Sequence, residues 1–343
     1  MLWLITGILV TLVVYLLVVV LVNRNRPPGD RISLVSRPKN LEAKLGQTIK
    51  ITSWNIGYAG LGRGSDFIMD GGKNWFPPSR QTVKNNLGAI CAQLEKFRGQ
   101  ILLLQEVSVK SPLSFWQPVR QKIIMSMPDN MALFRPDIST WGLPWPLKIA
   151  HGTMTISPAE PASKKLVKLP VEPDFIGGII KRNYALLVTR FAIENSSGQW
   201  VIINLHLAAF DNKGATRQQQ FEAVFAFAQE EYEKGNFIVV GGDWNMALTK
   251  TDFLHTTNLK HLFWLVDLPK EKLPSGWKIV CDKSVPSVRT NYKPYVEGEN
   301  YTAVIDGFIV SPNVGVDAVK TTNTGFENTD HMPVSALFST KRL

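Results

Sequence analysis

Several apolar runs in this chain stop at a side chain able to bind a metal or hold a phosphate. Ile51-Thr-Ser-Trp-Asn55 ends in an amide, Ile101-Leu-Leu-Leu-Gln-Glu106 in a carboxylate and Val201-Ile-Ile-Asn-Leu-His206 in an imidazole. Phe237-Ile-Val-Val-Gly-Gly-Asp243-Trp-Asn245 ends in a carboxylate and an amide. Asp306 lies within Val304-Ile-Asp-Gly-Phe-Ile-Val310, and Asn328-Thr-Asp330-His331 precedes a last apolar run. One such residue says little, since an acid after a strand is ordinarily a solvated turn residue or a helix cap. Together they form an inventory. A hard divalent cation takes oxygen ligands from carboxylates and amides and keeps waters for a substrate phosphate. Phosphoester hydrolysis also needs a base for water, a donor for the leaving oxygen and positive charge on the other oxygens.

The elements that must carry these residues are short. The runs Ile49–Trp54, Ile101–Leu104, Met131–Phe134, Gly152–Ile156, Ala185–Ile193, Trp200–Leu205, Phe237–Val240 and Val304–Val310 are bounded by turn formers, as strands are. Arg80–Phe97 repeats apolar residues with helical spacing at Leu87, Ile90, Cys91 and Leu94. Thr216–Lys234 does so at Phe221, Val224, Phe225 and Ala228. Strands mixed with a few helices predict sheets flanked by helices. No internal repeat or second composition shift follows residue 48, so one domain over 49–339 is expected.

The chain has 343 residues, ample for a substantial core, and 45% apolar content excludes a disordered chain. Its formal charge of +10 favours polyanions, whether nucleic acid, an acidic membrane or a phosphorylated small molecule, without choosing among them. Cys91 and Cys281, too far apart for a ligand motif, are expected as buried thiols. Residues 2–22 are almost wholly apolar, matching the roughly 20 residues that cross a bilayer core. A cleaved signal peptide is the competing reading. No Lys or Arg precedes the run, it exceeds the roughly 7–15 residues of a signal core, and no small-x-small site follows. A single-pass anchor over 1–22 is therefore expected, with a polar, proline-bearing tether over 23–48. Arg24, Arg26 and Arg31 on its C-terminal side lean the domain toward the cytoplasm.

Ser53-Trp54-Asn55, Leu104-Gln105-Glu106, Asn204-Leu205-His206, Gly242-Asp243-Trp244-Asn245, Ile305-Asp306 and Thr329-Asp330-His331-Met332-Pro333-Val334 together resemble the endonuclease/exonuclease/phosphatase superfamily, also called deoxyribonuclease I-like. The resemblance runs from about residue 49 to 338. It implies an α/β (α+β) four-layer sandwich, with two mixed sheets packed together and helices outside. It implies that Glu106 binds Mg²⁺, with Mn²⁺ as a substitute, and that Asn55 and Asp330 lie close to the same site. By the same resemblance Asp243 orients or deprotonates water, Asn245 holds a phosphate oxygen and His206 contacts the phosphate or assists the leaving group. His331 acts on the scissile phosphate, with Asp306 fixing its tautomer and raising its pKa, as a carboxylate behind an imidazole does.

Arg182, Arg289 and His151 are further substrate-binding candidates. For the two arginines a phosphate contact competes with a surface salt bridge. His255 and His261 read as surface residues, and Arg217 and Gln218 as a structural helix start. The glycine-rich Gly57–Gly64 stretch lacks both the Gly-Lys-Ser/Thr of a phosphate loop and a following patterned helix, so it reads as a loop beside the metal site. Its continuation, Asp66–Lys73, adds charges that could reach substrate. Substrate identity stays open. The expected partners are a phosphoester and a bilayer, and the expected state is a monomer. The expected reaction is hydrolysis of a phosphodiester or phosphomonoester, with a nuclease on DNA or RNA, a sphingomyelinase-like phospholipid hydrolase and a non-catalytic membrane scaffold as alternatives. The Trp-Pro-rich stretches Trp75–Pro78 and Trp141–Leu147 fit a membrane interface, stacking on bases, or caps on the core.

Overall fold

The computed structural model describes residues 2–25, 31–143, 147–172 and 182–341. Arg26, Pro27 and Pro28 of the expected tether, Pro144, Trp145 and Pro146 of the second tryptophan loop, and Lys181 beside Arg182 lie outside these residues. The helices are α1 (Leu2–Asn25), α2 (Arg80–Glu95), α3 (Val119–Ser126) and α4 (Ala215–Glu233). The strands are β1 (Ser33–Ser36), β2 (Thr48–Asn55), β3 (Ile101–Ser108), β4 (Met131–Ser139), β5 (Ala150–Ser157), β6 (Ser163–Lys168), β7 (Ala185–Ala192), β8 (Gln199–His206), β9 (Phe237–Asp243), β10 (Lys278–Val280), β11 (Val288–Arg289), β12 (Thr302–Ala303), β13 (Asp306–Val310), β14 (Val314–Thr321) and β15 (Val334–Thr340).

They form a seven-stranded sheet, β1-β4-β5-β3-β2-β15-β14, a six-stranded sheet, β10-β13-β9-β8-β7-β6, and a small β11-β12 ladder. Side chains alternate across a strand, so a strand buried on both faces must be apolar throughout. In β3, Ile101 and Leu103 face the second sheet, while Leu102 and Leu104 face α2 and α3. In β8, Trp200 and Ile202 face the first sheet, while Val201 and Ile203 pack under Phe221, Val224 and Phe225 of α4. The result is the expected four layers: helix, sheet, sheet, helix. Each large apolar side chain buried this way stabilises the fold by about 1.5–3 kcal/mol.

Two pairings matter most for the site. β2 and β3 are parallel neighbours joined through α2, and β8 and β9 are parallel neighbours joined through α4. A parallel pair needs such a crossover, and its two carboxyl ends emerge together. α2 starts where Ser79 Oγ accepts from the Thr82 amide at 3.0 Å, an N-cap bond typically worth about 1 kcal/mol.

Part of the expected tether belongs to the domain. β1 pairs with β4, placing Leu34 opposite Leu133, and Leu45 is buried against Ile49 and Phe191. The domain thus begins near residue 33 rather than 49, because a few apolar residues in a polar stretch suffice to complete a sheet edge. Cys91 and Cys281 are free and half-buried rather than buried. The 21-residue span Trp3–Asn23 of α1 is long and apolar enough to cross a membrane, and only 6% of its most apolar stretch is covered by protein.

Candidate active site

The two parallel pairs deliver their terminal residues to one edge of the sandwich. Asn55 lies opposite Gln105, one residue before Glu106, and His206 lies opposite Asp243. Asp306 opens β13 directly across from Asp243, and β15 pairs with β2 at Val334 and Ser53, bringing the preceding Asp330 and His331 to the same edge. The register of β3 against β5 shifts between Leu104 and Val107, and Glu106 within that bulge has φ +55. A bulge re-aims a side chain, and here it lets Glu106 line the cleft.

The motif residues around the acids have local work. A Cβ on Gly242, at φ +150, would lie 2.0 Å from the Leu205 carbonyl oxygen, so only glycine lets β9 hug β8 there. Trp54 Nε1 donates to the His331 carbonyl at 3.0 Å, and Trp244 Nε1 to the Gly307 carbonyl at 3.2 Å. Between the sheets, Gln105 Nε2 donates to Asn204 Oδ1 at 2.8 Å and Asn204 Nδ2 to the Met154 carbonyl at 3.1 Å. Both amides are fully buried, so the bond between them fixes how the sheets align beneath the site.

Asp243 is the hub. Its Oδ2 accepts from Asn55 Nδ2 at 3.0 Å and its Oδ1 from the Asn245 amide at 2.9 Å. The same Oδ2 lies 3.6 Å from His206 Nε2 and 3.8 Å from His331 Nε2. His331 Nδ1 is 2.8 Å from Asp306 Oδ2, behind the ring. Arg182 Nη2 approaches His206 Nδ1 at 2.9 Å and the Glu106 carboxylate at 3.9 Å.

The two imidazoles are driven apart electrostatically. Burial opposes charge on His331, but Asp306, Asp243 and Asp330 outweigh it and hold its pKa well above the ordinary value. Burial, reinforced by Arg182 and His331, pushes His206 well below the ordinary value. Near neutral pH, His331 is therefore a cation able to donate, and His206 a neutral ring.

The opposite wall holds carboxylates that repel one another. Burial raises Glu106 to about 7, against the pull of Arg182 and with Asp330 adding to the rise. Asp70, from the loop after β2, is likewise pushed to about 7 by burial and Asp330. Asn291 Nδ2 donates to both Asp70 and Asp330, and Thr329 Oγ1 to Asp330 at 3.2 Å. Acids crowded like this, with hard oxygen donors and burial outweighing the pull of Arg182 and Arg289, fit a divalent cation such as Mg²⁺ or Mn²⁺ held by Glu106, with Asn55 and Asp330 at hand. The tightest group of three potential ligands among the described residues is instead Asp243, Asp306 and His331, within 4.8 Å of one another. In that group Nδ1 of His331 is already bonded to Asp306, which suits proton handling better than coordination.

All eleven expected residues line this cleft of about 410 Å³ except Asp306, which sits beneath His331. Their surroundings refine three expectations. Arg289 is buried with Nη2 donating to the carbonyls of Leu61 and Gly62, so it braces the glycine-rich loop rather than reaching for substrate. Asn245 donates Nδ2 to the Leu207 carbonyl at 2.9 Å, leaving one amide hydrogen for a phosphate oxygen, and its φ of +50 is one that Asn tolerates. Buried Arg217 donates to the Asn245 carbonyl and holds that turn, and His151 is kept neutral, at about 3, by burial and Arg182. His255 and His261 pack on Tyr301 and Tyr292, outside the cleft lining. Tyr58, Asp70 and Asn291 also line the cleft, though no motif in the sequence singles them out. The buried Tyr58 hydroxyl and Asn291 Oδ1 lie in the cleft and have no hydrogen-bond partner among the described residues. Only the charges of Asp66–Lys73 hinted at this loop.

The pattern of the Endonuclease/Exonuclease/phosphatase family matches residues 52–331. No curated protein matches the chain at a significant level. An endonuclease/exonuclease/phosphatase from Beutenbergia cavernae superposes with a TM-score of 0.56 at 16% identity, covering 86% of this chain and 72% of its own. One from Bacteroides vulgatus gives 0.53 at 14% identity, over 86% of this chain and 99% of its own. The human Nocturnin catalytic domain, solved with a bound sulfate anion, gives 0.53 at 16% identity over 92% and 100%. At these identities the likeness concerns the fold.

Proposed function

The chain belongs to the endonuclease/exonuclease/phosphatase family, and from that premise we propose that it hydrolyses a phosphodiester or phosphomonoester with a divalent metal, Mg²⁺ or Mn²⁺, while α1 anchors it in a bilayer. The observation that carries the reading is the array Asp306–His331–Asp243, in which one carboxylate backs an imidazole and another faces it. Asp243 Oδ2 takes the proton of the attacking water. Asn245 and Arg182 hold non-bridging phosphate oxygens, and neutral His206, oriented by Arg182, contacts the phosphate. His331, kept protonated by Asp306, meets the charge that develops at phosphorus and supplies a proton toward the leaving oxygen. Glu106, Asn55 and Asp330 would hold a divalent cation, which would supply positive charge against the phosphoryl oxygens. The arginines that follow α1 favour the cytoplasmic side for the domain.

The full chain is tested on bis(p-nitrophenyl) phosphate, p-nitrophenyl phosphate, plasmid DNA and vesicle phospholipid, with Mg²⁺, Mn²⁺ or EDTA. Hydrolysis of at least one, abolished by EDTA and restored by either metal, is expected. Hydrolysis indifferent to chelation refutes the mechanism, and no hydrolysis of any substrate favours a non-catalytic scaffold.

A further inference from the structure

We infer that the hairpin joining β4 to β5 seats the mouth of the cleft on the bilayer, and that the phosphoester cleaved there is the headgroup linkage of a membrane-resident lipid. This rests on the preceding reading, both for the chemistry and for α1 as an anchor.

The hairpin and α1 are bonded to each other. Asn23, 3% exposed, donates Nδ2 to the Trp141 carbonyl at 2.9 Å and accepts from the Trp141 amide at 2.6 Å. The Tyr15 hydroxyl donates to the Gly142 carbonyl. Gly142 has φ +73 and lies so close that a Cβ there would meet Val19 Cγ2 at 3.0 Å. Eight residues separate Tyr15 from Asn23, about 12 Å along a helix. Trp141 and Gly142 therefore lie beside the helix from the end of the apolar span to well inside it. A loop at that depth lies among headgroups and the first acyl carbons. Trp141, 49% exposed, has the amphipathic ring favoured there.

The same hairpin walls the cleft. Ile138 and Ile149, at its base, line it, and the wall continues through Phe67, Met69, Trp75 and Phe210. Trp75 is 56% exposed, so it does not cap the core. A nucleic-acid cleft needs cations for successive phosphates. Among the described residues lining this cleft the arginines and lysines are only Arg182 and Arg289, and Arg289 is committed to loop carbonyls. One phosphate on a polar floor beneath an apolar wall is the shape of an amphiphile. In the reaction the water oxygen bonds to phosphorus, one ester P–O bond breaks, and the departing oxygen leaves protonated as an alcohol.

The test uses the full chain in phosphatidylcholine vesicles containing phosphatidylglycerol or sphingomyelin, beside soluble bis(p-nitrophenyl) phosphate and plasmid DNA, all with Mg²⁺. Cleavage of vesicle lipid is expected to fall about tenfold or more in Trp141→Asp and in Asn23→Leu, the scale of a lost effective concentration. Hydrolysis of the soluble diester should be unchanged in both. Plasmid nicking with the lipid left intact overturns the inference, as does a lipid rate indifferent to both substitutions. If no substrate is cleaved, the phosphoesterase reading fails, and quenching of tryptophan fluorescence by brominated lipid still judges the seating. Quenching that drops in Trp141→Phe supports it, and identical quenching in the two proteins overturns it.

Discussion

The two walls of the cleft, Asp306–His331–Asp243 on one side and Glu106–Asp330–Asp70 on the other, draw on similar residue types and arrive at opposite electrostatic states. On the first wall the acids surround a cation, and hydrogen bonds of 2.8–3.0 Å tie His331, Asp243 and Asn55 in place. On the second wall burial, with Asp330 and Asp243, outweighs the Arg182 guanidinium 3.9 Å away and the His331 cation, and the Glu106 pKa rises to about 7. One wall is held by hydrogen bonds and ion pairs within the protein, and the other has the crowded acids that suit a divalent cation. The difference lies in the third group. An imidazole faces the acids of the first wall, whereas Asp70 adds a further acid to the second.

The largest expected effect breaks the first wall at its hub. Asp243→Asn removes the base while keeping a group that can lie between Asn55 and the turn. Hydrolysis should fall roughly 10²–10⁴-fold with the circular dichroism spectrum unchanged. A loss under threefold would place the base elsewhere. Asp306→Asn comes next, with about a hundredfold loss and a distinctive pH signature. Asp306 is the foremost group holding the His331 proton, so without it burial lowers the imidazole pKa. The alkaline limb of the rate profile should move to lower pH, and an unmoved limb would show that His331 is not the acid.

Much of this arrangement was legible in the sequence, for a physical reason. Parallel strands buried on both faces must read as unbroken apolar runs, so a polar residue ending one marks the sheet edge. Asn55, Glu106, His206 and Asp243 were readable on that ground. The places of Asp306 and Asp330-His331 in the site came only with the family pattern, since nothing in their spacing shows that β13 and β15 return antiparallel beside β9 and β2. Arg289 misled because an arginine near a phosphate site and one bracing loop carbonyls look alike in sequence. Asp70 and Asn291 were missed because an irregular loop has no periodicity from which to read direction. β1 was missed because four residues at a sheet edge leave too short a pattern.

The smallest effect is on stability and belongs to the second wall. A carboxylate raised from about 4.3 unfolded to about 7 folded stabilises the fold while protonated. That stabilisation is complete below about pH 4.3 and is lost as pH rises through about 7. The metal-free protein should therefore melt a few degrees lower at pH 8 than at pH 6, and saturating Mg²⁺ should recover the loss. Glu106→Gln should flatten this pH dependence. A metal-free protein whose melting temperature does not change between pH 6 and 8 would mean that the acids are not crowded as described.

The division between the walls is tested most directly by calorimetric titration of Mg²⁺ or Mn²⁺ into the wild type, Glu106→Gln and Asp306→Asn. Glu106→Gln should weaken metal binding by about tenfold or more, while Asp306→Asn binds metal like the wild type and fails only in hydrolysis. The reverse result, with binding lost in Asp306→Asn and kept in Glu106→Gln, would place the cation among Asp243, Asp306 and His331 and contradict the account.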